Sequence, residues 1–235
     1  MNKSLINRAI SFLWTMFRFN LLFAASNAVL IVALLGFVLH WSTLPLYLLG
    51  VFLLVPSLQA LFLAIKRREE LVKVSPTKLY IRCYREEFNG ALLFAVSYVL
   101  AALLLLGSYA ALGFVPSELT FVPLYGLLGV ILYIHFVFGL LIRANFVIKI
   151  VATWRLGFYC ISRHPLKAFF ILGGTFIVGA LVNTFHQLIL LGIVPIAIYL
   201  LTISTEKMFR DIAIILKLTD NEEEEGLNEG KDDSK

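Results

Sequence analysis

The sequence predicts an all-α membrane protein with six transmembrane helices and cytoplasmic amphipathic helices, and three observations carry that reading. Mean hydropathy is +0.89 and 60% of the 235 residues are hydrophobic, which exceeds what a soluble domain of this size can bury. Uncharged runs close to the ~20 residues needed to cross a bilayer recur along the chain. The remaining charge is concentrated: six of the nine residues of "IKRREELVK" (Ile65 to Lys73) are charged, against 15% overall.

The elements follow in order. In "LINRAISFLWTMF" (Leu5 to Phe17) apolar residues recur at Leu5, Ala9, Leu13, Met16 and Phe17, the spacing of an amphipathic helix lying on a membrane surface. Spans are predicted at about 20–39, 45–65, 90–113, 121–142, 168–185 and 187–204. The first is read as an uncleaved span, because its apolar run is long, lacks a clear cleavage site and is followed directly by another. Two more amphipathic helices are drawn through Ser75 to Phe88, where Ser75 with Pro76 is a start signal, and through Val147 to Ile161. The last pair of spans is separated only by "NTFHQ" (Asn183 to Gln187). Residues 1–205 thus form the membrane domain, 206–220 a cytoplasmic helical extension, and 221–235 an acidic tail expected to be disordered.

Charge fixes the threading. With six spans, Lys and Arg number three in 1–19, seven in 66–89, five in 143–167 and five in the tail, so all 20 fall on one face. Lys and Arg are retained in the cytoplasm during insertion, which places both termini there. The tail after Ile203 carries 10 of the 15 acidic residues. Membrane lipids are the expected partners of the basic remainder, and no motif points to nucleic acid. Cys83 and Cys160 are too few for a disulfide framework and are read as packing groups.

Each amphipathic helix precedes a spanning pair, which suggests a threefold repeat of helix plus hairpin. Lys78, Leu79, Cys83 and Ala91 align with Arg155, Leu156, Cys160 and Ala168. Both true duplication and similarity by apolar composition stay open.

No phosphate loop, metal motif, nucleophile elbow or intramembrane acid pair is visible, so no enzyme, catalytic residue, metal or cofactor is expected. His135 is the titratable side chain deepest in a span. Its readings are a hydrogen-bonded bundle histidine or a proton relay. Asn20, Asn27, Gln59 and Asn89 are read as interhelical hydrogen-bonding groups. Pro56 and Pro195 fall inside the second helices of the first and third hairpins, where a proline removes a backbone donor; they mark either packing kinks or a transport site. Arg67, Arg68 and Arg155 are the candidate partner surface.

"PSLQALFLAIKRR" (Pro56 to Arg68), "FRFNLLFAASNAVLIVALLGF" (Phe17 to Phe37) and "YREEFNGALLF" (Tyr84 to Phe94) resemble segments of the YesL-like family of small bacterial inner-membrane proteins. The resemblance covers most of residues 5–205. It implies a bacterial inner-membrane location and an accessory or regulatory role beside a carbohydrate importer, and it carries no catalytic residues. An autonomous small transporter is the alternative function. The oligomeric state stays open.

Overall fold

The computed structural model describes residues 3–38, 40, 42–112, 118–184 and 193–232. Eight α-helices and one 3-10 turn account for nearly all of them: α1 (Lys3–Ser26), α2 (Ala28–Gly36), α3 (Leu44–Lys66), the 3-10 turn Arg68–Val72, α4 (Pro76–Leu112), α5 (Glu118–Asn145), α6 (Ile150–Arg163), α7 (Pro165–Thr184) and α8 (Ile193–Asp232). The described residues form no strand. Among the described residues, three helices are long and apolar enough to cross a membrane by themselves: Pro45–Lys66, Pro76–Ala111 and Val122–Asn145. They contain the run expected at 45–65 and most of those expected at 90–113 and 121–142, residue 113 lying outside the described residues. Five qualify if each of two bent pairs is one span. The run expected at 187–204 begins outside the described residues.

The three amphipathic segments take different forms. Leu5 to Phe17 is not separate but continues into the first apolar run as α1, and the expected span at 20–39 is then broken at Asn27 by 71°. The break has a local cause. Ser26 Oγ donates to Leu22 O at 2.9 Å and Asn27 Nδ2 to Phe23 O at 2.7 Å, so two consecutive side chains engage carbonyls of the preceding turn, a pattern that bends helices. Ser75 to Phe88 likewise fuses with its span into the 37-residue α4. Only the third segment stands apart, as α6, which meets α7 at 98°. His164 precedes Pro165 and adopts φ −127°, ψ 59°; a residue before proline is driven out of the helical region, and Pro165 opens the next helix without losing a bonded N–H.

Pro56 does not interrupt α3, which runs unbroken past it. Pro195 lies in the first turn of α8 as described, where a missing N–H removes no intrahelical bond. The segment 206–220, expected as a helical extension, and residues 221–232 of the tail 221–235 expected to be disordered continue α8 without a break to Asp232, and 233–235 lie outside the described residues. Helix propagation onto a nucleus held by tertiary packing is easy for Glu-rich sequence.

The core lies towards one end of the bundle. Its buried residues lie between Val55 and Ile65 of α3, Leu79 and Tyr98 of α4, Ile134 and Ala144 of α5, and Ile198 and Ile212 of α8, joined by Met16 and Phe19 of α1, Cys160 of α6, and Ala168 and Ile171 of α7. The apolar windows of α3, α5 and α4 are 61%, 44% and 22% buried, respectively, so α3 is the central post. At the opposite end Leu103, Leu104 and Leu106 of α4, Leu124 and Leu127 of α5, and Phe176 and Ile177 of α7 are exposed.

The α2–α3 hairpin is close-packed through Gly50, where an added Cβ would stand 2.8 Å from Leu30 Cβ and 2.9 Å from its Cα. Tyr47 OH closes the far end of α2 by donating to Ala33 O at 2.9 Å and Phe37 O at 2.6 Å. Gly50→Ala is therefore expected to cost about 1–3 kcal/mol through overpacking, read as a lower unfolding midpoint of the protein in detergent. Gly129→Ala, with nothing within 4 Å of the new Cβ, is expected to cause no loss.

Candidate functional site

Three polar assemblies cross between helices, and they locate most of the residues singled out in the sequence. The first surrounds His135 on α5, which is 1% exposed. Its Nε2 lies 2.9 Å from Trp154 O of α6. A carbonyl only accepts, so Nε2 carries the proton and Nδ1 is free to accept. Tyr98 OH of α4 donates to Nδ1. Trp154 Nε1 in turn donates to Ser97 Oγ at 3.2 Å. Rings enclose the cluster: Tyr98 stacks on Trp154 with centroids 4.6 Å apart, and Phe158 lies 4.3 Å from His135. Gly157 makes the approach possible, since a Cβ there would stand 2.5 Å from His135 Nε2. His135 thus pins α6 across α4 and α5, with both ring nitrogens occupied.

The second assembly lies beside Pro56. Asn27 Nδ2 donates to Ser57 Oγ at 2.7 Å, and Ser57 Oγ stands 3.0 Å from Asn27 Oδ1. Tyr80 OH of α4 reaches Ser26 Oγ at 3.2 Å and Ser57 O at 3.4 Å. The break between α1 and α2 is therefore stitched to both α3 and α4. One turn further on, Gln59 is fully buried. With its nitrogen facing the Leu140 carbonyl, it donates there at 3.3 Å and accepts from Ala144 N at 3.0 Å. Those two α5 groups are i and i+4 partners, so one side chain bridges a rung of the neighbouring helix.

The third is a collar of charge at the core end. Lys66 Nζ donates to Ala144 O at 3.2 Å and Asn145 O at 3.5 Å, capping the C-terminus of α5 with a cation. Arg143 pairs with Glu87 at 3.0 Å, with side chains 9% and 22% exposed. Arg67 pairs with Glu86 at 2.7 Å, and Arg82 pairs with Glu70 and, at 3.7 Å, with Glu86. Arg68 lies over the Tyr199 ring of α8, 5.2 Å from its centroid. Lys167 Nζ of α7 donates to Ser204 O of α8 at 2.5 Å.

The proposed partner surface is consequently divided. Arg67 and Arg68 are engaged within the protein. Arg155 is exposed on α6 and makes no ion pair among the described residues. Gln59 and His135 belong to different tethers on α5, Pro56 adjoins Ser57, and Pro195 is buried near the start of α8 as described. Asn20 and Asn27 are buried, whereas Asn89 is exposed.

Sequence reasoning missed Ser57, Tyr98, Trp154, Gly157 and the Arg143–Glu87 pair. The signals were weak but present: a serine directly after an intramembrane proline, and a tryptophan beside a glycine on the polar-poor face of α6. Among the described residues no group of three His, Cys, Asp or Glu side chains could hold a metal ion. No family model matches the chain, and no similar curated protein or solved structure was found.

Tyr98→Phe removes the donor to a buried ring nitrogen, which is expected to cost about 1–3 kcal/mol. Gly157→Ala is expected to cost as much through the clash with His135. Both are read as lowered unfolding midpoints, and limited proteolysis of both variants is expected to cut near α6 before any other helix.

Proposed function

We propose that this chain is a non-enzymatic integral membrane protein of a bacterial inner membrane, acting as an accessory or regulatory component of carbohydrate uptake. Both termini and the charged collar face the cytoplasm in this reading, in the six-span topology that the distribution of Lys and Arg favours. The resemblance to the YesL-like family supplies the link to carbohydrate import, by association alone.

The observation that carries the accessory reading is how the buried polar groups are used. Asn27, Ser57, Gln59, His135, Thr153 and Thr205 are all buried, and each is hydrogen-bonded within the protein. A route for a sugar past Gln59 or His135 would have to break bonds that hold α3 to α5 and α5 to α6, leaving polar atoms unpaired at a cost of about 1–3 kcal/mol each. The groups left over for recognition stand at the surface. Lys149, just before α6, and Val151, Arg155 and Arg163 on it are exposed and combine basic and apolar contacts, a composition suited to a protein partner at the membrane surface.

One observation favours the alternative, an autonomous transporter: two candidate spans are discontinuous, at Asn27 and at His164, and interrupted helices are a recurrent feature of transport sites. A single pair of measurements separates the two. Under the accessory reading, purified protein in liposomes moves no sugar unaided, and Arg155→Glu weakens recovery of a membrane or cytoplasmic partner in mild-detergent pull-downs by several-fold. Unaided sugar flux that is lost in Gln59→Ala, with the fold intact, would establish the transporter instead. Arg67→Glu and Arg68→Glu are poorer probes, because each also breaks an internal contact.

A further inference from the structure

The 37 residues of α4 would extend about 55 Å at 1.5 Å per residue, well beyond the ~30 Å hydrocarbon layer. From Phe88 to Leu112 the helix carries no formal charge, which is by itself enough to cross. The turns before it, from Pro76 to Glu87, therefore stand at the headgroup level and beyond. Their two faces differ. Leu79, Tyr80 and Cys83 are buried in the core, while Lys78, Ile81, Arg82 and Arg85 are exposed at i, i+3, i+4 and i+7, a single stripe along the helix.

That stripe, with Glu86, lines an open groove of about 300 Å³. The charges within it are not equivalent. Arg82 is held by Glu70 and Glu86, and Glu86 is also paired with Arg67, so these two arginines and two glutamates form a neutral set. Lys78 and Arg85 make no ion pair among the described residues. They stand two turns apart, about 10 Å along the axis, close enough for two long side chains to converge on one phosphate. Ile81, 42% exposed, provides an apolar wall between them.

We propose that this groove binds the headgroup of an anionic phospholipid, with Lys78 and Arg85 sharing its phosphate and Ile81 lying against the headgroup carbons between them. The proposal rests on the membrane reading of α4 and not on carbohydrate uptake. A lipid fits better than a soluble anion because Arg85 stands three residues before Phe88, where the uncharged stretch of the helix begins, and because Ile81 gives the groove an apolar wall.

The test uses the full chain purified in mild detergent and titrated with phosphatidylglycerol or phosphatidylcholine of the same acyl chains, with bound lipid read by native mass spectrometry. The wild type is expected to retain phosphatidylglycerol preferentially. Each removed charge near a membrane surface is worth about fivefold, so Lys78→Gln with Arg85→Gln is expected to lower that preference roughly 25-fold, and either single change several-fold. Arg210→Gln, exposed on α8 and outside the groove, and Lys78→Arg, which keeps the charge, are expected to leave it intact. Excess glycerol 3-phosphate is expected not to displace the lipid. The preference persisting without Lys78 and Arg85, an equal loss in Arg210→Gln, or displacement by glycerol 3-phosphate would each overturn the proposal; the last would identify a site for soluble phosphate esters. If the double variant does not fold, the two single variants decide.

Discussion

An unpaired polar atom in apolar surroundings costs several kcal/mol, and the arrangement of this chain follows from how it avoids that penalty. Asn27, Ser57, Gln59 and His135 are buried, and each crosses to another helix to be satisfied. The bonds that meet their needs are also those that fix the helices relative to one another. Gln59 holds α3 against α5, His135 holds α6 beneath α4, and Asn27 turns the broken first span onto α3. Removing one member leaves its partner exposed to the same penalty. The tethers therefore specify the packing more sharply than dispersion between leucines could, since apolar helices have many nearly equivalent ways to pack.

The same penalty explains why the core sits at one end. Formal charge is excluded from the apolar length of each helix and gathers where α3 ends, α4 begins and α5 ends. There Lys66, Arg67, Arg82 and Arg143 find carbonyls or carboxylates on neighbouring elements. These contacts pull the helices together, and the buried residues Ile65, Leu79, Leu141 and Ile142 lie just beneath them. Away from the collar no ion pair acts among the described residues, and many apolar side chains on the outer halves of α4, α5 and α7 are exposed. In the membrane reading, acyl chains cover these surfaces, and loose packing there carries little cost.

The all-helical class, the apolar runs of α3, α4 and α5 and the clustering of charge were legible in the sequence, because each depends on composition over about 20 residues. Asn27 and Gln59 could be marked as hydrogen-bonding groups, since a buried amide needs a partner, but Ser57 and the Leu140–Ala144 rung could not be named. A partner set by three-dimensional approach leaves no local trace. The joints were the least legible. No local signal marks the continuity of α4 from Pro76 through Phe88, and the break at Asn27 depends on two adjacent side chains turning back on their own helix. Proline misled: Pro56, read as a kink, leaves α3 unbroken, whereas Pro165, not read as one, accompanies the 98° bend.

The central claim is that the packed, charged end of the bundle lies at the cytoplasmic face of the membrane. Cysteine accessibility tests it directly, in a background where the fully buried Cys83 and Cys160 are replaced by Ala. Val72, 90% exposed in the collar, and Ser42, exposed in the turn between α2 and α3, mark the two ends. The account predicts that Ser42→Cys reacts with a membrane-impermeant maleimide in intact cells, and that Val72→Cys reacts only after the membrane is opened. Labelling of Val72→Cys in intact cells, with Ser42→Cys protected, would contradict it.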